Sequence, residues 1–404
     1  MWYAGIDWAD SHHDIVVIDD TGRKVGSRRI AHTPEGLAEL KEFLLSISGP
    51  ERKEEVACII ETNHGMLITL LLEAGYPVFP VNPKTVDRRR APSGAKTDLI
   101  DAYLLAKTGR ADFVDLRKLE PDSPLIQELK TLTRDQDHLI QCQTRLVNQL
   151  TACLKAYYPV ALDLFGKLQQ RSTLTFLQTY PVPQAAMAAS IDDLEATLRK
   201  TGYPNPTKAA RQIFERVHQP HLQADEVTTR TKSRLMGALV AQLLPLIEQI
   251  AAYDKEIENL FLAHKDHDLF ESLPRAGQRL APRLLAEIGD DRARYADATR
   301  VQALAGTAPA PYESGNYSKV HQRYACSKPL RNAFQQFAWQ TTQSEPWARD
   351  YYQRKRKEGK SHSMAIRALA NIWVRILFAI WQKRESYERT TFEKAKLLHA
   401  PRAA

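Results

Sequence analysis

Up to about residue 115, apolar residues fall into short runs separated by polar turns. Tyr3–Asp7, Asp14–Ile18 and Lys24–Ile30 have the length and composition of strands, and only a few polar residues part them. A helix is predicted from Thr33 to about Ser46, with Pro34 at its first position, where a missing N–H is no loss. Strand Glu55–Glu61, helix Met66–Ala74, short strand Pro77–Val81 and helix Thr97–Thr108 follow. Three successive strands and then strand–helix alternation predict an α/β layer. Further along, the apolar period lengthens. Leu125, Leu129, Leu132, Leu139, Leu146 and Leu150 mark one long helix, and Leu235, Leu239, Leu243, Leu246, Ile250 and Ile257 a second. These two pair with each other or with a second copy of the chain. Between them Pro181, Pro183, Pro204, Pro206 and Pro220 break up shorter helical patterns, which predicts an inserted subdomain. The last third reads as helices over Leu280–Ile288, Leu330–Gln343, Trp347–Glu358 and Met364–Ser386, with Trp339, Trp347, Trp373 and Trp381 expected in their core.

Four carboxylates interrupt the first region at telling places. Asp7 ends the apolar run Trp2–Ile6, and Glu61 ends Val56–Ile60. Asp98 and Asp101 lie one helical turn apart on a single face. Two carboxylates about 4 Å apart repel by roughly 4 kcal/mol at an effective dielectric near 20. Such a cluster is stable when divalent cations neutralise it, and oxygen donors select Mg²⁺ or Mn²⁺ over zinc. The chemistry served is phosphoryl transfer. Bland readings exist for each: Asp10 and Asp14 rival Asp7, Glu61 could cap the next helix, and Asp98 could answer the helix dipole.

Composition sharpens the class. The 404 residues exceed one ordinary core, so two or three domains are expected. With 43% hydrophobic residues and a mean hydropathy of −0.42, the chain reads as globular. No apolar stretch is expected to reach the roughly 18 residues of a membrane span, and the N-terminus lacks a basic leader. Cys58, Cys142, Cys153 and Cys326 are scattered without metal spacing, so a reduced, cytoplasmic setting is expected. A net charge of +8 points to a polyanionic partner, more so because the cations cluster. Arg88, Arg89, Arg90 and Lys96 precede the acidic helix, and Arg354, Lys355, Arg356 and Lys357 form a second patch with Lys360. Tyr351 and Tyr352 interleave the second patch, a pattern suited to stacking and phosphate contact on RNA, though a solvated helix face gives the same pattern.

Several segments together resemble a known family. They are Gly5-Ile-Asp7, Ile60-Glu61-Thr62, Lys96-Thr-Asp-Leu-Ile-Asp-Ala102, and Leu304-Ala-Gly-Thr-Ala-Pro309 with Glu313-Ser-Gly315. In order and spacing the chain is similar to the DEDD transposases of the Piv/MooV type, insertion-sequence recombinases. The resemblance implies a ribonuclease H-like (RuvC-like) N-terminal domain over 1–115, a long helical, coiled-coil-like middle over 116–265, and a mainly helical transposase domain over 266–404. The segment Leu269–Gly277 before Leu280–Ile288 resembles a helix-hairpin-helix, whose glycine turn offers N–H groups to phosphate. By the resemblance Asp7, Glu61, Asp98 and Asp101 hold Mg²⁺ (or Mn²⁺), and Ser314 is the nucleophile that forms a phosphoserine with DNA. Without it, Ser314 in Tyr-Glu-Ser-Gly is an ordinary turn serine, and Ser318 and Ser327 are fallbacks. It further implies a structured guide (bridge) RNA pairing with target and donor DNA, a homo-oligomer (dimer or tetramer), and a site shared between subunits of a bacterial, nucleoid-associated enzyme. Departures are Pro274-Arg-Ala-Gly277, where relatives carry Pro-Gly-Ile-Gly, and Ser327-Lys-Pro without the usual glycine. The alternative enzyme is a RuvC-like nuclease that hydrolyses branched DNA without a covalent intermediate, and the alternative class is a nucleic-acid-binding module with a degenerate site.

Overall fold

The computed structural model describes residues 1–62, 65–83, 86, 97–315 and 317–391. They form two compact units, Met1–Pro121 and Asp122–Ala404.

In the first unit, β1 (Trp2–Trp8), β2 (His12–Ile18) and β3 (Lys24–Ala31) form an antiparallel meander, and β4 (Val56–Ile60) and β5 (Val78–Pro80) extend it in parallel, giving the order β3-β2-β1-β4-β5. β1 and β4 are buried on both faces, which is why both read as near-continuous apolar runs. Helix α1 (Pro34–Ser48) starts on Thr33, whose Oγ1 accepts from the Gly36 N–H at 3.2 Å. With α2 (Met66–Glu73) it belongs to the face carrying Ala4, Ile6, Ile15, Val17, Cys58 and Ile60. The other face carries Tyr3, Val16, Ile18, Ala57 and Ile59 and is closed by α3 (Asp98–Asp112) through Ala102, Leu105 and Ala106. Small residues bring that helix close. A methyl group on Gly5 of β1 would overlap the Ala102 carbonyl oxygen and the Ala106 nitrogen, and one on Gly109 of α3 would overlap Ile59. Strand and helix are therefore fixed in register by two missing side chains.

The second unit is built on two long helices, α4 (Pro124–Tyr157) and α10 (Glu226–Ala263). They run antiparallel: Gln136 donates to Asp254 and the Cys153 thiol to the Lys232 carbonyl. Five short helices lie between them in sequence, α5 (Ala161–Leu164), α6 (Arg171–Thr179), α7 (Pro183–Ala188), α8 (Ile191–Lys200) and α9 (Pro206–His218). They pack Phe165, Phe176, Leu194 and Ile213 with Leu150, Tyr157, Met236 and Leu243 into a core of their own at one end of the pair. At the other end Ile126, Leu129, Ile257 and Phe261 join a second core. That core also holds α11 (His267–Glu271), α12 (Gly277–Ile288), α13 (Ala298–Leu304), α14 (Lys328–Thr341), α15 (Pro346–Lys357) and α16 (His362–Lys383). Ion pairs tie α4 to α12: Arg134 clasps buried Glu287, and Arg283 clasps Asp137.

Three expectations need correction. Trp347, Trp373 and Trp381 are core residues at 7%, 0% and 0% exposure, but Trp339 is 40% exposed and sits at the surface. Helix α12 begins at Gly277 rather than Leu280; Arg275 and Gly277 both have positive φ, +62° and +56°, so the chain turns sharply and enters the helix earlier. Finally, α10 and α16 are long and apolar enough to cross a membrane by length and composition. The run Leu235–Ala252 holds one charge, Glu248, and Gly237, Gln242, Pro245 and Gln249 interrupt its apolar residues without making it polar on average. Leu239, Val240 and Leu243 of α10 and Leu369, Trp373 and Trp381 of α16 pack into the two cores, as in long core helices of a globular unit.

Candidate active site

The face of the first sheet beneath α3 changes character at one end. Moving along β1, the residues on that face are Tyr3, Gly5 and Asp7, and the cross-strand partner of Asp7 on β2 is Asp14. The partner of Asp14 on β3 is Arg29. On the other side Ile6 pairs with Ile60, so Glu61, the next residue, continues the same row. Glu61, Asp7, Asp14 and Arg29 thus lie side by side where the apolar face gives out. The N-terminus of α3 arrives at that end, because Gly5 lies against Ala102 and Asp101 directly precedes it. Thr97 caps the helix, its Oγ1 accepting from Ile100 N–H at 3.3 Å, which sets Asp98 and Asp101 in the first turn.

Electrostatics records the gathering. The Asp7 carboxyl is pushed up to about 6, first by burial and then by the charges of Asp101, Asp98, Glu61 and Asp14. The other three carboxylates predicted from the sequence, Glu61, Asp98 and Asp101, are therefore each near enough to act on Asp7. Asp98 has further partners: its Oδ2 lies 3.3 Å from His12 Nε2 and accepts from Arg29 Nη2 at 3.2 Å. Arg29 also donates to both oxygens of Asp14, at 2.7 Å for the shortest bond. The donor atoms of His12, Asp14 and Asp98 lie within 4.8 Å of one another, close enough to hold one metal ion. Sequence reasoning treated Asp14 only as a rival to Asp7 and overlooked His12 and Arg29. Strand alternation alone could not have found them, because it is cross-strand register that sets Asp14 opposite Asp7 and Arg29 opposite Asp14.

The donor set fits a hard divalent cation. It is oxygen-rich, lies at the ends of neighbouring strands in the middle of the sheet, and includes a carboxyl whose pKa is raised first by burial and then by the surrounding negative charges. Asp7, Glu61 and Asp101 would hold such an ion, with Asp98 free to join on leaving Arg29.

Ser314 belongs to the second unit. It ends β6 (Ala310–Ser314), which pairs with β7 (Tyr317–His321) in an exposed antiparallel hairpin, and Ser314 faces Tyr317 across the turn. Gly315 has φ +54°, the left-handed conformation a tight hairpin turn requires. Of the fallbacks, Ser318 lies on the same hairpin with its hydroxyl 3.4 Å from Glu313, and Ser327 caps α14 by accepting from Leu330 N–H. The hairpin was not predicted, since both its faces are exposed and it has no apolar alternation to read. Arg354, Lys355, Arg356 and Lys357 occupy the last turn of α15. Arg354 and Lys355 lie over the Tyr351 ring at 5.1 and 5.7 Å, and Lys355 also pairs with Glu358. Arg88, Arg89, Arg90 and Lys96 lie outside the described residues.

Residues 4–159 match the DEDD transposase profile of the IS110 type, described as a transposase, and residues 267–353 match the profile described as transposase IS116/IS110/IS902 family. The chain is 33% identical to the IS117 mini-circle protein of Streptomyces coelicolor, over 96% of this chain and 95% of that one. It is 30% identical to a 44.8 kDa protein of insertion element IS116 from Streptomyces clavuligerus, over 95% and 96% of the two chains. The transposase for insertion sequence element IS1111A of Coxiella burnetii is 21% identical over 77% and 70%. The chain belongs to the IS110 family of insertion-sequence transposases.

Proposed function

We propose that this transposase is a metal-dependent, RNA-guided DNA recombinase that works through a covalent phosphoserine. The observation that carries the metal half is the crowding of Asp7 by Asp101, Asp98, Glu61 and Asp14 at the end of a β3-β2-β1-β4-β5 sheet. That strand order, with an acidic helix laid over β1, supports a ribonuclease H-like fold for residues 1–115. Residues 116–265 then act as a helical spacer and 266–404 as the domain carrying the serine. Bound Mg²⁺ or Mn²⁺ would polarise the phosphate and stabilise the oxygens that attack and leave.

In the chain's own terms, Ser314 loses its hydroxyl proton as Oγ bonds to phosphorus. One backbone P–O bond breaks, and the departing oxygen takes up a proton. Attack by a free DNA hydroxyl on the phosphoserine reverses the exchange and regenerates the serine, so no external energy source is needed. The exposed, narrow hairpin supports this role, because a nucleophile must reach into a DNA backbone. The cations on α15 and those at Arg88, Arg89, Arg90 and Lys96 would bind phosphates of DNA and of a structured guide RNA, and the enzyme would act as a dimer or tetramer.

The test of the metal half is strand breakage of a donor–target substrate in Mg²⁺ with Asp7→Ala, Glu61→Ala, Asp98→Ala and Asp101→Ala. Each should lose breakage without lowering the melting temperature of the metal-free fold. Full breakage by two or more of the four would remove the carboxylates from the chemistry.

A further inference from the structure

The second unit holds a cleft that neither the acidic site nor the serine hairpin uses. It has a volume of about 330 Å³ and lies between α4, α12 and α14, within the range of about 300–1,000 Å³ of small-molecule sites. Its lining is unusual for a gap between helices. Thr133, Gln136 and Arg283 are polar and buried, at 3%, 4% and 8% exposure. Buried polar groups need partners, and here they have them: Gln136 donates to Asp254 at 2.8 Å, and Arg283 clasps Asp137, itself on the cleft wall, at 2.9 and 3.1 Å.

The cleft also borders Trp339. This indole is 40% exposed, unlike the other tryptophans of its core, yet its ring is held. Tyr352 and His362 contact it edge-on, with centroids 5.7 and 5.1 Å away, and the Tyr352 hydroxyl lies 2.9 Å from His362 Nδ1. Tyr352 sits on α15, the helix that carries Arg354, Lys355, Arg356 and Lys357. A rigid exposed aromatic face, fixed amide and guanidinium groups beside it and a run of cations on the adjoining helix match what an unstacked nucleotide offers: a flat ring, a hydrogen-bonding edge and a phosphate.

We infer that this cleft is a binding site for a single unpaired base of a nucleic-acid strand, with Trp339 as its stacking wall. The inference rests on the nucleic-acid reading above and adds a place and a ligand class to it. The shared chemistry, an unpaired base, is offered both by a guide RNA and by a melted DNA strand.

Short oligo(U), short oligo(dT) and a blunt duplex serve as probes for the full-length protein at low salt. Trp339→Ala should weaken binding of a single strand about tenfold, as loss of one stacked base does, and leave duplex affinity unchanged. Trp339→Phe should retain most of the affinity while abolishing the quenching of tryptophan fluorescence that the strand causes. Whichever of oligo(U) and oligo(dT) loses more identifies the strand that donates the base. The site is overturned if Trp339→Ala binds single strands like wild type while neutralising the α15 cations weakens them; nucleic-acid binding would survive that result. If the wild type binds none of the three probes, the cleft falls together with the reading on which it rests.

Discussion

A partly buried carboxylate crowded by other carboxylates destabilises the fold that holds it while it is charged, and Asp7 is in that position. Its folded carboxyl titrates near 6, above the ordinary value of 3.8, so between about pH 4 and 6 the folded state binds more protons than the unfolded one. Metal-free stability should therefore fall as pH rises through that window. Asp7→Asn should remove the fall and raise metal-free stability at pH 7 by on the order of 1–2 kcal/mol, allowing for partial solvent screening. Chemical melts in chelator at pH 4.5 and 7 measure this; a variant less stable than wild type at pH 7 would make Asp7 a structural hydrogen-bond acceptor instead. Mg²⁺ should stabilise the wild type and leave Asp7→Asn unmoved. Gly5 is the second sensitive residue. Gly5→Ala forces β1 and α3 apart at the Ala102 carbonyl, and overpacking of this kind costs about 1–3 kcal/mol. It should also weaken Mg²⁺ binding, because the same contact delivers Asp101. A variant with wild-type melting and wild-type metal affinity would show that α3 is held elsewhere.

Among the elements, those buried on one or both faces were the legible ones. β1 and β4 announced themselves because their positions are apolar up to Asp7 in one and up to Glu61 just past the other, and α1 because proline and threonine mark its start. The start of β2 was missed by two residues, since His12 and His13 look like turn residues; His13 is nevertheless fully buried, with its Nε2 2.8 Å from His32 Nδ1. The acidic positions could be read as strand ends and one helix face. Their partners Arg29 and His12 could not, because cross-strand register places them and sequence spacing does not. The β6–β7 hairpin is the least legible element and carries the proposed nucleophile, which gives it a clean test. Ser314 is exposed and Ser327 caps a helix. Ser314→Ala should leave stability unchanged, whereas Ser327→Ala should cost about 1 kcal/mol. Thermal melts showing the reverse would mean that the hairpin is a folded support and that the cap is dispensable.

For the molecule as a whole, a basic chain acting on nucleic acid should lose affinity as salt rises, since each phosphate contact releases counterions. Replacing Arg354, Lys355, Arg356 and Lys357 by glutamine should flatten the slope of log affinity against log salt by about 2–3, less than four full contacts because Lys355 already pairs with Glu358. An unchanged slope for both RNA and DNA would assign the cations to the C-terminal dipole of α15 alone. The two units contribute different chemistry to the proposed reaction, a metal site in one and a nucleophile in the other, and a covalent bond to DNA requires both. The most direct measurement is therefore to trap that bond. Wild-type protein with guide RNA, labelled donor and target DNA and Mg²⁺ is denatured and digested, and the DNA-linked peptide is sequenced by mass spectrometry. The account predicts a phosphodiester on Ser314, absent in Ser314→Ala and absent when Asp7 is replaced. Cleaved DNA with no protein attached, in wild type and Ser314→Ala alike, would contradict it and leave the carboxylates as a site that activates water.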